Sequence, residues 1–439
     1  MKTKFSVITF GCSFNKHDSE IMIGYLKDKY EYVEDYKKAD LVIINTCSVK
    51  NSAETKAFKI IRELEKLNKK IIVGGCIPQA EISYLNNKLK NYSVIGVNEI
   101  DKVNFVVEET LKDKVIHNIF NKVKKNPFLR LNENNYRFNE VIEIIPINEG
   151  CLNKCSYCKT KLARGNLYSY PIHIIVEKIR DSLKEGVKEF WLTSQDTACY
   201  GFDIHTNLNE LIKEILKISG DFKIRIGMGN PAHFKKIIDE LLDIIEKDNR
   251  IYKFLHIPLQ SGSNRILKDM RRGNTKEDYL ELIDKIKSKD KNFTISNDII
   301  VAYPTETWEE FLETVKVLEK TKPEVLNLSR FWLRRGTEVE KKYSGKDFID
   351  GKESKKRSAI VNRVFRNYNY EKNKKWVGKE EIVLINEYGK NGTLKGRNQY
   401  YKPIIITNLK NNRTIKLGDY VKVKIIDFNE YELIGEIIK

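Results

Sequence analysis

Long hydrophobic runs are missing from this 439-residue chain. The apolar stretches at 41–44 and 299–303 are only a few residues long, where a bilayer-spanning helix needs about 20. The first ten residues carry two lysines but too short an apolar segment for a secretory signal. These absences predict a soluble, cytoplasmic protein with no membrane partner. An even set of cysteines is missing too. The seven present, Cys12, Cys47, Cys76, Cys151, Cys155, Cys158 and Cys199, argue against a disulfide framework and for metal or redox use. No pairing of a nucleophile with a histidine stands out, which points away from covalent acyl-transfer chemistry. Acidic residues are in deficit: 61 Asp and Glu against 79 Lys and Arg give a formal charge of +18. What is present is an ordinary globular balance, 41% hydrophobic and 32% charged, at a length that suggests about three domains.

The first hundred residues alternate strand-like runs (5–10, 41–44, 71–73) with helical patterns (18–30, 52–67), the mark of a parallel sheet with helical crossovers. Cys12, Cys47 and Cys76 each fall just beyond one of these strands, two of them directly after glycine. In an open parallel sheet those strand ends face one crevice, where ligands bind. Three convergent thiolates there would form a metal site. Residues 114–140, with Lys122, Lys124, Lys125, Pro127 and Arg130, read as a linker. From 141 six strand-like segments (141–147, 188–193, 223–227, 253–257, 294–301, 325–331) alternate with helical patterns, which predicts a partial (β/α)6 barrel with its chemistry at the strand C-termini. Residues 341–375 read as a basic helical connector. Residues 376–439, short β runs separated by turns such as Asn411-Asn412 and Gly418-Asp419, read as a small all-β barrel of the kind that holds oligonucleotides. The expected units are thus 1–113, 114–140, 141–340, 341–375 and 376–439.

Cys151-Leu-Asn-Lys-Cys155-Ser-Tyr-Cys158 is a C-x3-C-x2-C motif directly after the first barrel strand. Three thiolates on one loop can wrap an iron–sulfur cluster and leave one iron open to an exchangeable ligand. A zinc site would want a fourth Cys or His, and the nearest histidine is His173. Residues 341–439 hold +11 of the total charge of +18, which calls for a polyanionic partner, most simply nucleic acid.

This motif after the first strand of a partial barrel resembles the radical S-adenosylmethionine enzymes. Joined to the three earlier cysteines and the terminal β module, it resembles the methylthiotransferases along essentially the whole chain. The segment Cys155-Ser-Tyr-Cys158-Lys159-Thr160-Lys161-Leu162-Ala163-Arg164-Gly165-Asn166, with Trp191-Leu-Thr-Ser-Gln-Asp-Thr197, is similar to the branch acting on N6-threonylcarbamoyladenosine in tRNA. The resemblance implies a 4Fe-4S cluster on Cys151, Cys155 and Cys158 that cleaves S-adenosylmethionine to a 5′-deoxyadenosyl radical. It also implies a second 4Fe-4S cluster on Cys12, Cys47 and Cys76, and a terminal TRAM domain that binds RNA. The implied reaction is methylthiolation of carbon 2 of the modified adenosine at position 37 beside the tRNA anticodon. One S-adenosylmethionine would supply the methyl group, another the radical, and an electron donor would be needed. The rival targets within the class are isopentenyladenosine in tRNA and a ribosomal-protein aspartate. Outside it stand a non-catalytic iron–sulfur electron carrier with an RNA-binding tail and a zinc-stabilised RNA-binding protein.

The resemblance further implies cofactor contacts at Gln195, Asp196, Met228, Asn230, Gln260, Ser261 and Asp298, all at or near strand ends. RNA contacts are expected from Lys159, Lys161, Arg164, Arg271 and Arg272. In the terminal module they are expected from Lys395, Arg397 and Lys402, where charge is interleaved with Tyr400 and Tyr401. Two positions depart from the family pattern: Ala302 and Thr305 stand where the family usually has glycine. Cys199 belongs to neither triad and is expected to be a small buried residue.

Overall fold

The computed structural model describes residues 2–48, 51–81, 83, 87–118, 125–131, 136–407 and 415–438. Lys122, Lys124 and the Asn411-Asn412 turn lie outside the described residues. The first unit is a parallel sheet of β1 (Lys4–Thr9), β2 (Glu31–Tyr32), β3 (Leu41–Thr46), β4 (Lys70–Gly75), β5 (Ser93–Ile95) and β6 (His117–Asn118), in the order β2-β1-β3-β4-β5-β6. Strand alternation sorts its side chains onto two faces. Phe5, Val7, Leu41, Ile43 and Ile72 pack against the helices Ser13–Leu26 and Val103–Leu111. Val42, Ile44, Ile71 and Val73 pack against Asn51–Lys66, whose Ile61 and Leu64 face inward as the spacing predicts. The sheet has three strands more than the sequence suggested. β2, β5 and β6 span only two or three residues each, too short for a period to register. The 114–140 stretch is correspondingly more than a linker. It supplies β6 and the helix Pro127–Leu131, which buries Arg130.

The central unit holds β7 (Ile142–Pro146), the short antiparallel pair β8 (Asn148–Glu149) and β9 (Tyr168–Ser169), then β10 (Glu189–Thr193), β11 (Lys223–Ile226), β12 (Phe254–His256), β13 (Thr294–Val301) and β14 (Val325–Arg330). The six long strands run parallel as β7-β10-β11 and β12-β13-β14, joined by single bridges at Ile224–Ile251 and Met228–His256. They form an open, partial barrel, with one continuous apolar core under the outer helices. The basic helix Gly351–Lys374 starts on an Asp350 cap. Its Asn369 donates to the carbonyls of Glu324 and Glu430, tying the barrel to the last unit. That unit is a closed barrel of β15 (Glu380–Tyr388), β16 (Leu394–Arg397), β17 (Pro403–Thr407), β18 (Tyr420–Phe428) and β19 (Leu433–Ile437). It docks on the N-terminal ends of the central strands: Asn386 donates to Glu189, and Gln399 to the Ile251 carbonyl. The strand C-termini are left free for the cysteine loops.

Candidate metal centre and active site

β8 and β9 pinch off a loop carrying Cys151, Cys155 and Cys158, all three partly accessible. The loop is pinned from several sides. Gly150 adopts φ +75°, and a Cβ there would lie 1.9 Å from the Asn166 carbonyl oxygen, so only glycine fits. The Gly150 N–H donates to Gln195 Oε1 at 2.6 Å, and the Cys151 N–H to the Gly165 carbonyl at 3.2 Å. Lys125 donates to the carbonyls of Arg164 (2.8 Å) and Asn166 (3.0 Å), and Lys161 to that of Cys151. Ser156 Oγ reaches the Asp269 carbonyl and the Tyr303 hydroxyl.

The second triad follows three neighbouring strands: Cys12 after β1, Cys47 after β3, Cys76 after β4. Cys12 is exposed; Cys47 and Cys76 are buried. Gly11, at φ +114°, lets the first loop approach so closely that a Cβ would sit 2.8 Å from Cys47 Cβ. Asn15 stitches the loops together, donating to the carbonyls of Phe10 and Thr46 (2.9 Å each) and accepting from Cys76 Sγ at 3.6 Å.

The two loops lie back to back. The helix Cys76–Ala80 packs on Thr160–Arg164, with Cys76, Val97 and Ala163 in one apolar cluster. Around it sits a buried ionic clamp. Lys159 pairs with Glu81. Arg164 donates to Asp18 at 2.6 Å and to Asn15 at 2.9 Å, and Arg130 pairs with the same Asp18 and lies 3.4 Å from Glu149. Ser13 and Thr193 share a 2.6 Å hydroxyl contact. None of Asp18, Asn15, Arg130 and Glu149 stands out as a site residue in the sequence. The available signal was polar residues three and six places after Cys12, on the inward face of a helix.

The donor set fits iron–sulfur clusters. Among the described residues, the His, Cys and carboxylate atoms gathered within 4.8 Å belong to Asp196, Cys199 and His233, so neither triad closes to that distance. A single tetrahedral metal with ~2.3 Å bonds would draw its sulfurs to about 3.8 Å apart, whereas a multi-iron cluster spreads them over different irons. Burial pushes the Cys76 thiol up to about 12, and burial with the nearby Asp196 does the same for Cys151. Such thiols ionise only when a cation compensates them. A buried arginine stands ready at each triad. Arg272 Nη1 lies 3.5 Å from Cys155 Sγ. Arg164 shares the Asn15 oxygen with Cys76.

Residues 4–96 match the uncharacterized protein family UPF0004, 145–318 the radical SAM superfamily and 374–438 the TRAM domain. A protein of Pyrococcus horikoshii named as a probable threonylcarbamoyladenosine tRNA methylthiotransferase is 37% identical over 99% of both chains. The mouse threonylcarbamoyladenosine tRNA methylthiotransferase is 38% identical over 99% of this chain and 74% of its own. The chain belongs to the threonylcarbamoyladenosine tRNA methylthiotransferase family. Its fold also resembles the radical S-adenosylmethionine methyltransferase TsrM of Kitasatospora setae, solved with cobalamin and a 4Fe-4S cluster (TM-score 0.55, 13% identity, 77% of this chain and 74% of that one). An iron–sulfur cluster and S-adenosylmethionine come with the radical SAM unit. No helix among the described residues is long and apolar enough to cross a membrane.

In this family member, the residues expected at the cofactor fall into two groups. Met228, Gln260 and Asp298 are half-buried at the barrel mouth, and Asp298 accepts from His256 and Asn327 at 2.8 Å each. Gln195 holds Gly150. Asp196 is buried with both oxygens taken, by the Asn230 N–H (3.0 Å), by Asn153 (3.2 Å) and by His233 Nδ1 (2.7 Å). Asn230 caps the helix Pro231–Lys247, and Ser261 is fully buried. These four shape the mouth from behind. Cys199 is buried as expected, its thiol donating to the Asp196 carbonyl.

The expected RNA contacts need correction. Lys159, Arg164, Arg272 and Lys402 are buried against partners inside the protein, so their charges do not reach a phosphate in this structure. Lys402 sits beside Asn373 and Glu324, and Tyr401 inserts among Tyr252, Phe254 and Arg225 at the barrel floor. That strip is a domain interface. Lys161 is committed to the Cys151 carbonyl, Lys395 pairs with Glu432, and Arg397 stacks over Tyr401 at 4.7 Å. Arg271 is exposed. Ala302 and Thr305 keep the backbone that glycine would favour, at φ +60° and +63°.

Proposed function

We propose that this chain methylthiolates carbon 2 of N6-threonylcarbamoyladenosine at position 37 of tRNA. The observation that carries the reading is a cavity of about 420 Å3 between the first sheet, at Val7, Thr9 and the Cys12 loop, and Trp191 of the central barrel, bordered by exposed Cys12. Trp191 and Phe138 give it flat apolar walls suited to a base, and Thr9 and Ser13 supply hydroxyls. Lys16 also lines it, half-buried over the Phe138 ring, with no carboxylate within ion-pair distance among the described residues. A free ammonium there complements the carboxylate of a threonylcarbamoyl group and has nothing to offer an isopentenyl one.

In this reading Cys151, Cys155 and Cys158 hold one 4Fe-4S cluster beside S-adenosylmethionine, and Cys12, Cys47 and Cys76 hold a second at the cavity wall. Bound there, the clusters and S-adenosylmethionine supply a radical strong enough for an unactivated C–H bond, together with the sulfur and the methyl group. Gln195, Lys125 and Lys161 keep the first loop in register, and the ionic clamp holds the two sites together. Met228, Gln260 and Asp298 face the nucleoside cofactor. Exposed cations of the last unit and its helix, among them Lys374, Lys375, Lys379 and Lys424, are placed to hold the RNA backbone, with Arg271 nearer the mouth. A cytoplasmic electron donor completes the system.

The test is mass spectrometry of tRNA nucleosides from a host that makes threonylcarbamoyladenosine but lacks methylthiotransferases, expressing this chain or its Cys151→Ala variant. The methylthio derivative should appear with the unaltered chain alone. Methylthio-isopentenyladenosine in its place would refute the role given to Lys16. Neither product in iron-replete anaerobic cells would turn attention to a protein substrate.

A further inference from the structure

Arg164 belongs, by sequence, to the loop of the first cysteine triad, yet its side chain serves the second. It is 2% exposed, sits over the Phe14 ring at 4.5 Å from its centroid, and donates from Nη2 to Asp18 and Asn15. Asn15 Oδ1 is the atom that also accepts from Cys76 Sγ, so guanidinium and sulfur meet at one oxygen. Of its other two nitrogens, Nη1 is buried and has no hydrogen-bond partner among the described residues. An orphaned charged donor costs more than almost any other buried polar group, so its persistence points to a missing acceptor. The nearby anions of Asp18 and Glu149 do not remove the need. Asp18 already bonds both Arg130 and Arg164, and Glu149 pairs with Arg130 at 3.4 Å.

A 4Fe-4S core held by three thiolates is singly negative, and doubly so after one-electron reduction. A fixed cation beside it therefore favours the reduced form, and N–H donors to its sulfurs act in the same direction. We infer that Arg164 is a positioning residue of the second triad, supplying the charge and the N–H donor that a cluster on Cys12, Cys47 and Cys76 requires, and so setting that cluster's potential. The inference rests on the proposed second cluster. Arg272 stands in the same relation to the first triad. Its Nη1 is 3.5 Å from Cys155 Sγ, its Nη2 donates to the Pro258 carbonyl, and its Nε is likewise buried and unpartnered among the described residues. The two arginines thus offer a built-in control.

The experiment uses the full chain with Cys151, Cys155 and Cys158 replaced by alanine, reconstituted with iron and sulfide so that only the second triad can be loaded. The midpoint potential is read by electron paramagnetic resonance during a dithionite titration. Arg164→Gln should lower the reduced-to-oxidised ratio at fixed potential about tenfold, a shift of about 59 mV to the negative for one electron. Arg164→Lys should recover most of it, and Arg272→Gln should leave it in place. An unchanged midpoint in Arg164→Gln, or an equal shift from Arg272→Gln, would overturn the inference. If Arg164→Gln takes up no iron, Arg164→Lys decides: a retained cluster supports the charge role, and a lost one reduces Arg164 to a shape-filling part. A parent protein that binds no iron would overturn the second cluster itself, and this inference with it.

Discussion

Gly150→Ala is the sharpest single perturbation of the radical loop. An added methyl meets the Asn166 carbonyl oxygen at 1.9 Å and its carbon at 2.5 Å, so one of the two peptides must retreat by more than 1 Å, as judged from an ordinary ~3.3 Å contact. Forcing an alanine to φ +75° costs about 1–2 kcal/mol. The retreat also loosens the Cys151–Gly165 and Gly150–Gln195 hydrogen bonds, each worth about 1 kcal/mol. The total is about 3–4 kcal/mol, localised on the loop that must present three sulfurs together. Gly186 provides the comparison. It too has positive φ, +93°, but nothing lies within 4 Å of its added Cβ, so Gly186→Ala carries only the backbone cost of about 1–2 kcal/mol. Thermal melting of the apo proteins and iron content after reconstitution should separate the pair. Gly186→Ala melts slightly lower and loads normally, whereas Gly150→Ala melts lower still and loses iron at the first triad. Equal melting and equal iron would refute the claim that loop geometry depends on this glycine.

Ala302→Gly and Thr305→Gly should each stabilise the chain by about 0.5–1 kcal/mol in denaturant titration, relief of left-handed strain outweighing the added chain entropy. Burial holds the Lys402 ammonium at about 8, below its usual 10.5. Both folded and unfolded states are charged below pH 8, so the penalty, about 3 kcal/mol, is fully present there; between pH 8 and 10.5 the unfolded chain binds the extra proton and stability rises with pH. The stability difference between Lys402→Met and the parent should therefore shift steadily in the parent's favour from pH 8 to 10, and a flat difference would count against the buried charge. Replacing Lys374, Lys375 and Arg271 by alanine should weaken tRNA binding and flatten its salt dependence by about one unit of slope for each phosphate no longer neutralised, while Lys402→Met should leave the slope alone. Lys16→Gln should raise KM for threonylcarbamoylated tRNA about tenfold with little change in kcat, since the interaction is the same in ground and transition states.

The strand ends and the cysteines behind them were legible because each rests on a local pattern: a short apolar run, a glycine, a thiol. The same holds for the six central strands, each of which falls in a short strand-like run set between helical patterns. What local pattern does not carry is the partner of a charge. Arg164 sits with Lys159 and Lys161 in a short cationic run that reads as a contact for RNA, yet its acceptor, Asp18, is 146 positions away. Lys159 finds Glu81 78 positions back, and Lys402 is buried by a helix that only the folded chain brings over it. Charge summed along a segment thus located the basic tail, but charge alone assigned Lys402 of that tail, and Lys159 and Arg164 of the barrel loop, to RNA when each is buried against a partner from another unit of the protein. The strip around Tyr400 and Tyr401 failed for the same reason, since stacking aromatics serve a barrel floor as well as a nucleobase.

Why the two cysteine sites should be joined by ions rather than by apolar side chains follows from what must be fixed. Buried ion pairs add little net stability, because desolvation cancels most of their attraction. An apolar contact such as that between Cys76 and Ala163 tolerates sliding by a fraction of a turn at small cost. The clamp does not. A slip of one helix past the other would leave Asp18, Arg130, Arg164, Lys159 and Glu81 without partners in a dry interior, and breaking even one such pair costs about 3–5 kcal/mol. The network therefore acts as a register pin between the first sheet and the central barrel. The carbonyls that Lys125 and Lys161 hold carry that register onward into the loop of Cys151, Cys155 and Cys158. The proposed reaction shares its chemistry between the two cysteine sites and so needs their separation held constant, and a lattice of paired buried charges is stiffer in that one coordinate than an apolar surface of the same size.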